Sequence, residues 1–64
     1  MYLVRSLSGS KLISAAHVET EWEALKWGRP HVDAGRVVTV EIDGRKHSFE
    51  DLNRSRRSAG LPEA

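Results

Sequence analysis

Residues 36–53 read RVVTVEIDGRKHSFEDLN, and this stretch predicts a β-hairpin that leads directly into a helix. Five of the six residues in the segment 37–42 are β-branched, which favours a pleated strand over a helix. Asp43-Gly44 is typical of a two-residue type I′ turn, because both turn positions require positive φ. We therefore expect one strand on each side of this turn.

The turn also predicts which side chains share a face of the hairpin. Residues that lie opposite each other point to the same side of a sheet. The expected pairs are Ile42 with Arg45, Glu41 with Lys46, Val40 with His47, Thr39 with Ser48, and Val38 with Phe49. One face is then apolar and should be covered by a helix; it comprises Val38, Val40, Ile42 and Phe49. On the other face, Glu41 and Lys46 are expected to form an ion pair.

A helix is expected to follow the hairpin. Ser48 begins the sequence Ser-Phe-Glu-Asp, in which its hydroxyl can cap the amide three residues on, so the helix should extend from about residue 49 to Ala59. Gly60 should end it, since glycine accepts the left-handed conformation that follows a helix. Leu52 and Ala59 are its candidates for burial, and residues 60–64 are expected to form a loose tail.

Another helix is expected before the hairpin, over residues 14–27. Four apolar residues follow i, i+3, i+7, i+10 spacing and form its buried stripe: Ala15, Val18, Trp22 and Leu25. Ser14 is the candidate N-cap, and Gly28 followed by Pro30 should end the helix. Residues 1–13 are expected to form an arm or a short strand, with a turn at residues 8–10.

Length and composition favour one small α+β domain, with a helix packed on a β-hairpin and a short basic helix after it. A chain of 64 residues buries only about 60% of the surface of its unfolded form, so support by a partner or by self-association is expected. The chain has no cysteine, which excludes disulfides and thiolate metal sites. Residues 1–10 resemble neither a signal peptide nor a membrane span, so we expect a soluble intracellular protein.

The distribution of charge predicts contacts with an anionic partner. The net charge is only +1, but residues 45–64 hold five cations against three carboxylates. The cations are Arg45, Lys46, Arg54, Arg56 and Arg57. Guanidinium groups pair well with phosphates and carboxylates, so nucleic acid and an acidic protein surface are both candidate partners. The alternative is that the terminal helix is basic only for solubility.

Trp27 is a further candidate contact. It lies about 120° from the centre of the predicted apolar stripe, so it could be an exposed aromatic anchor for a partner. It could equally fold over His31 and Val32 and complete a small core.

Enzymatic chemistry is not indicated by the sequence. The three histidines do not have the spacing of a zinc site, and a lone histidine beside a small core is usually structural. The chain contains no nucleophile elbow, phosphate loop or paired-carboxylate arrangement. We expect no catalytic residue, no cofactor and no metal.

The hairpin resembles that of the lambda-type phage head-tail joining protein W family, on the segments Arg36–Val40 and Asp43–Arg45 and on Phe49. The resemblance implies a small helix-hairpin-helix protein of the virion neck that acts by protein-protein contacts, in the host cytoplasm or within a virion. Residues 1–13 are an addition to that pattern.

A competing resemblance is to small phage excisionases, which have a winged-helix fold. It is carried by Met1-Tyr2-Leu3, by the Asp-Gly-Arg turn at residues 43–45 and by Phe49. This resemblance implies DNA binding, with the hairpin as the wing. Against it, the first predicted helix carries Glu19, Glu21 and Glu23, which would repel phosphate in a groove.

Overall fold

Six elements of secondary structure follow one another in the computed structural model, which describes residues 1–64. In chain order they are β1 (Tyr2–Ser8), β2 (Lys11–Val18), α1 (Glu21–Asp33), β3 (Val37–Ile42), β4 (Arg45–Ser48) and α2 (Phe49–Ser58). The strands form one antiparallel sheet in the order β2-β1-β3-β4. The predicted α+β class is therefore confirmed, and residues 1–13 form β1 and the start of β2.

The hairpin of β3 and β4 has the predicted turn and most of the predicted register. Asp43 (φ 51°) and Gly44 (φ 80°) both have positive φ, as a type I′ turn requires. Four of the five expected pairs are present. The fifth, between Val38 and Phe49, is wrong because β4 ends at Ser48 and the chain turns into α2. Val38 and Phe49 nevertheless lie in the same core cluster.

Both ends of α2 are capped by the residues that the sequence indicates. Ser48 Oγ accepts a hydrogen bond from the backbone N–H of Asp51 at 3.0 Å. Gly60 has φ 74°, and the N–H groups of Gly60 and of the residue after it donate to carbonyls of the last turn, which is a Schellman motif. Leu52 is buried as predicted, whereas Ala59 is exposed.

Residues 61–64 dock between the two helices, in contrast to the expected loose tail. The backbone N–H of Ala64 donates to Asn53 Oδ1 at 3.0 Å, and the carbonyl of Ala64 accepts from Asn53 Nδ2 at 3.1 Å. Asn53 is buried on α2, so its amide needs hydrogen-bond partners, and the backbone of the tail supplies both.

The first helix is displaced along the chain relative to the prediction of residues 14–27. Residues 14–18 belong to β2, and Thr20 rather than Ser14 is the N-cap of α1. Thr20 Oγ1 accepts a hydrogen bond from the backbone N–H of Glu23 at 3.1 Å. The strand is favoured over a longer helix because β2 pairs with β1 from Lys11 to Val18, with one bulge near Ile13.

The predicted stripe is divided between two elements. Trp22 and Leu25 do lie on α1, and Leu25 is fully buried. Ala15 and Val18 lie on β2 instead, where Ala15 is exposed and Val18 is half-buried. The predicted turn at residues 8–10 is present and joins β1 to β2.

Gly28 and Pro30 lie inside α1, not at its end. A Cβ atom on Gly28 would come within 2.8 Å of Val38 Cγ1 and 3.3 Å of Phe49 Cδ2, so this glycine allows the helix to approach the sheet closely. The helix ends instead at Asp33, and Gly35 (φ 83°) completes a second Schellman motif two residues later.

Both helices pack on one face of the sheet and leave the other face uncovered. The core is a single cluster of seven buried residues from β1, α1, β3 and α2: Val4, Ala24, Leu25, Val38, Val40, Phe49 and Leu52. The helices run antiparallel, since Arg56 near the end of α2 reaches Glu21 at the start of α1, while Phe49 lies against Gly28.

Replacing Gly28 with alanine is expected to lower the free energy of unfolding by about 1–3 kcal/mol. The added methyl group would collide with Val38, and this cost exceeds the roughly 1 kcal/mol that alanine contributes through helix propensity. Urea unfolding followed by circular dichroism measures the change. Lys26→Ala, an exposed change in the same helix, is the control and should alter stability by less than about 0.5 kcal/mol. A Gly28→Ala variant as stable as the unmodified chain would contradict the close approach.

Candidate interaction surfaces

The turn of the second hairpin carries two exposed cations, Arg45 and Lys46, which we call the tip cations. Neither forms an ion pair within the molecule. Lys46 lies opposite Glu41 in the sheet, but the expected Glu41–Lys46 ion pair is not formed, because the carboxylate of Glu41 lies 3.9 Å from the guanidinium of Arg5 on the neighbouring strand β1. The tip cations are therefore available to an anionic partner.

Arg54 and Arg57 are exposed on α2 but are paired with carboxylates. Arg54 Nη1 lies 3.3 Å from Asp51 Oδ1, one helix turn away. Arg57 donates two hydrogen bonds to the carboxylate of Glu63, at 2.8 and 3.0 Å, from the docked tail. The hydrogen bond from Arg57 holds the pKa of Glu63 below its ordinary value, and the pKa of Arg57 is raised by the same contact.

Arg56 is part of the structure and does not present its charge outward. Its guanidinium lies 3.3 Å from Glu21 Oε1 and stacks over the Trp22 ring, 4.7 Å from the ring centroid. Its Nε donates to the carbonyl of Pro62 at 2.6 Å. The side chain is only 13% exposed, against 72% for Arg54. Arg56 thus connects α1, α2 and the tail.

Trp27 packs within its own chain. Its ring is half-buried against the core and stacks on His31, with ring centroids 4.3 Å apart and an interplanar angle of 27°. His31 Nδ1 in turn lies 3.0 Å from Arg36 Nη1. The alternative in which Trp27 folds over His31 matches this geometry, and an exposed aromatic anchor does not. His31 is in the last turn of α1 and not in a loop.

The predicted basic surface is therefore largely neutralised. Residues 49–64 contain three arginines and three carboxylates, and each arginine lies within ion-pair distance of an acidic residue. Of the six predicted contact residues, only the tip cations lack such a partner or an aromatic contact inside the molecule.

A further candidate surface, which the sequence did not predict, lies on the uncovered face of the sheet. Leu7 is opposite both Leu12 and Val37, so these three residues form a row across β2, β1 and β3, which we call the apolar row. Leu12 is 52% exposed and Val37 57% exposed. The exposed cation Lys11 precedes Leu12 in β2, so a basic residue lies beside one end of the row. The sequence did not predict this row because residues 14–18 were expected to be helical, so β2 was not recognised as a strand.

Surface depressions and ionisable clusters indicate no specific chemistry. One depression has a volume of about 380 Å³ and includes His17, Glu41 and Asp43 in its lining. No group of three or more His, Asp or Glu side chains is placed to hold a metal ion. No helix is long and apolar enough to cross a membrane.

Comparison with known proteins adds no assignment. No family model, curated protein or solved structure matches the chain.

Arg56→Ala is expected to lower the free energy of unfolding by about 2 kcal/mol, because it removes a half-buried charged hydrogen bond and the stacking on Trp22. Arg54→Ala is the matched control on the same helix. Its ion pair is exposed, so the change should stay within about 0.5 kcal/mol. Chemical denaturation of the two variants measures the difference. Equal effects would show that Arg56 has no special structural role.

The Arg57–Glu63 contact is expected to break in acid. A pKa that is lower in the folded state than in the unfolded chain means that the contact stabilises the docked tail above the unfolded value of about 4.3. This stabilisation is lost as the pH falls through the folded pKa. Carboxyl ¹³C shifts in an NMR titration should show Glu63 titrating below the ordinary range of a glutamate. Arg57→Gln should return the pKa of Glu63 to the ordinary range, and no change in this variant would contradict the assignment.

Proposed function

We propose that this chain is a non-enzymatic interaction domain that acts by protein-protein contacts, of the type that joins components of a phage particle. The observation that supports it is the apolar row. Large apolar side chains that are half exposed and adjacent on a sheet face are typical of protein contact sites. A domain of 64 residues also gains stability when such a face is covered.

The partner that fits the row is a protein segment with apolar side chains and a carboxylate at one end. Leu7, Leu12 and Val37 offer a flat apolar strip about three strands wide. Lys11 beside the row complements an acidic residue, which would set the orientation of the partner and increase the rate of association.

The setting in a virion rests on the resemblance to the head-tail joining protein W family. The element order from α1 to α2 is helix, hairpin, helix, as in that family, and the hairpin of β1 and β2 is an addition. On this proposal the chain is found in the host cytoplasm and is then incorporated into the particle. The gene neighbourhood is a direct check, since adjacent portal and terminase genes support assembly.

The second candidate function is DNA binding, and the tip cations favour it. Arg45 and Lys46 are exposed at a hairpin turn with no carboxylate bound to them, as in a wing that lies along the phosphate backbone. The rest of a winged helix is different: α1 and α2 are separated by the β3–β4 hairpin, so they form no helix-turn-helix.

A mutational test of the apolar row uses the portal or tail proteins that are encoded beside this gene. Leu12→Ser with Val37→Ser should weaken binding to the partner at least about tenfold, because apolar contact area is lost. Leu61→Ser is the matched control, since Leu61 is 50% exposed but lies in the tail, away from the sheet. Equal binding by the double variant and the control would contradict a role for the row.

A gel shift at two salt concentrations separates the two functions. With a duplex of about 30 base pairs, we expect no retardation by less than roughly 100 µM protein at about 50 mM or about 200 mM salt. Tight binding that weakens steeply with salt and is lost on replacing Arg45 and Lys46 with alanine would favour DNA binding and overturn the assembly proposal.

A further inference from the structure

The two edges of the sheet differ in how they are protected. β4 has only four residues and begins with the cations Arg45 and Lys46, and short length and charge both discourage pairing with another strand. β2 has eight residues and no proline, and its only charge is Lys11 at its first position. β1 is its only neighbour. Alternate residues of β2 therefore direct unpaired backbone N–H and C=O groups away from the sheet.

The regular part of β2 is the segment 14–18. A bulge interrupts the pairing with β1 near Leu12 and Ile13, whereas residues 14–18 pair with β1 without a break. Ala15 and Ala16 stand at the centre of this segment. Their side chains are single methyl groups, so a second strand can come to hydrogen-bonding distance without a clash.

We propose that this edge pairs with the same edge of a second copy of the chain, antiparallel and about a two-fold axis beside Ala15. The result is a dimer with one continuous eight-stranded sheet. The inference deepens the proposed function, because it names a second copy as one partner of the interaction domain. An isologous contact of this kind satisfies the free backbone groups of both copies at once.

Charge selects the antiparallel arrangement of the two copies. Lys11 precedes the regular segment and Glu19 follows it, so the two ends of the edge have opposite charge. Antiparallel pairing brings Lys11 of one copy to the Glu19 end of the other, twice by symmetry. Parallel pairing would place like charges together, which is unfavourable.

Sedimentation equilibrium of the full chain tests the proposal, with a dimer of twice 7.2 kDa as the expected mass. Ala15→Lys should raise the dimer dissociation constant at least about tenfold, because two lysines would meet across the axis. Ala15 is exposed in the monomer, so the variant should keep its fold, which circular dichroism verifies. Val37→Lys is the matched control: it adds the same charge on the uncovered face, on β3 instead of the edge, and should leave the constant within about threefold.

Amide hydrogen exchange provides a readout that does not depend on variants. In the dimer, alternate amides of residues 14–18 become protected, and their protection should fall on dilution below the dissociation constant. A chain that is monomeric at about 500 µM, or amides of β2 that exchange equally fast at all concentrations, would overturn the dimer.

Such a result does not affect the proposed function of the apolar row, since partner binding by that row is tested with Leu12 and Val37 variants. Equal weakening by Ala15→Lys and Val37→Lys would also overturn edge pairing, in favour of contact through the face.

Discussion

The fold depends on the close approach of α1 to the sheet at Gly28. At this point three elements meet, because the absent side chain leaves space that Val38 of β3 and Phe49 of α2 fill. The contact brings the helix axis near enough to the strands for Ala24 and Leu25 to be fully buried. In a core of only seven buried apolar residues, a methyl group at this point would separate all three elements. The absence of a side chain at Gly28 therefore sets how closely α1 can pack on the sheet.

Charge in this protein mostly serves cohesion within the chain. Arg56 bridges α1, α2 and the tail through Glu21, Trp22 and a backbone carbonyl, while Arg57 holds the tail through Glu63. These contacts neutralise most of the charge of the basic segment 45–64. The net charge of the segment 45–64 therefore overestimates the number of cations that a partner can reach. Among the cations predicted to contact a partner, only the tip cations have no ion pair within the chain.

Local signals in the sequence were sufficient for the turn of the second hairpin and for both ends of α2. The type I′ turn, the Ser48 cap and the Gly60 end each depend on residues within five positions of one another. The prediction for the first helix was wrong because Gly28 followed by Pro30 is the usual pattern of a helix end. In the structure, Gly28 is instead required by packing against Val38 and Phe49, which lie far along the chain. The partners of Arg56 could not be read from the sequence for the same reason, since Glu21 is 35 positions away. The apolar row was missed because it exists only once β1, β2 and β3 are placed side by side.

The strand order β2-β1-β3-β4 has a further meaning. β1, β2 and α1 form one ββα unit, β3, β4 and α2 form another, and the antiparallel β1–β3 pair lies between them, so an approximate two-fold axis relates the units. Both helices begin with a hydroxyl cap and end in an Ala-Gly Schellman motif. Each unit taken alone would leave its central strand without a neighbour and its helix without half of its core. We therefore expect the two halves to fold and unfold in one cooperative step, as two subunits of a dimer would if they were joined in a single chain.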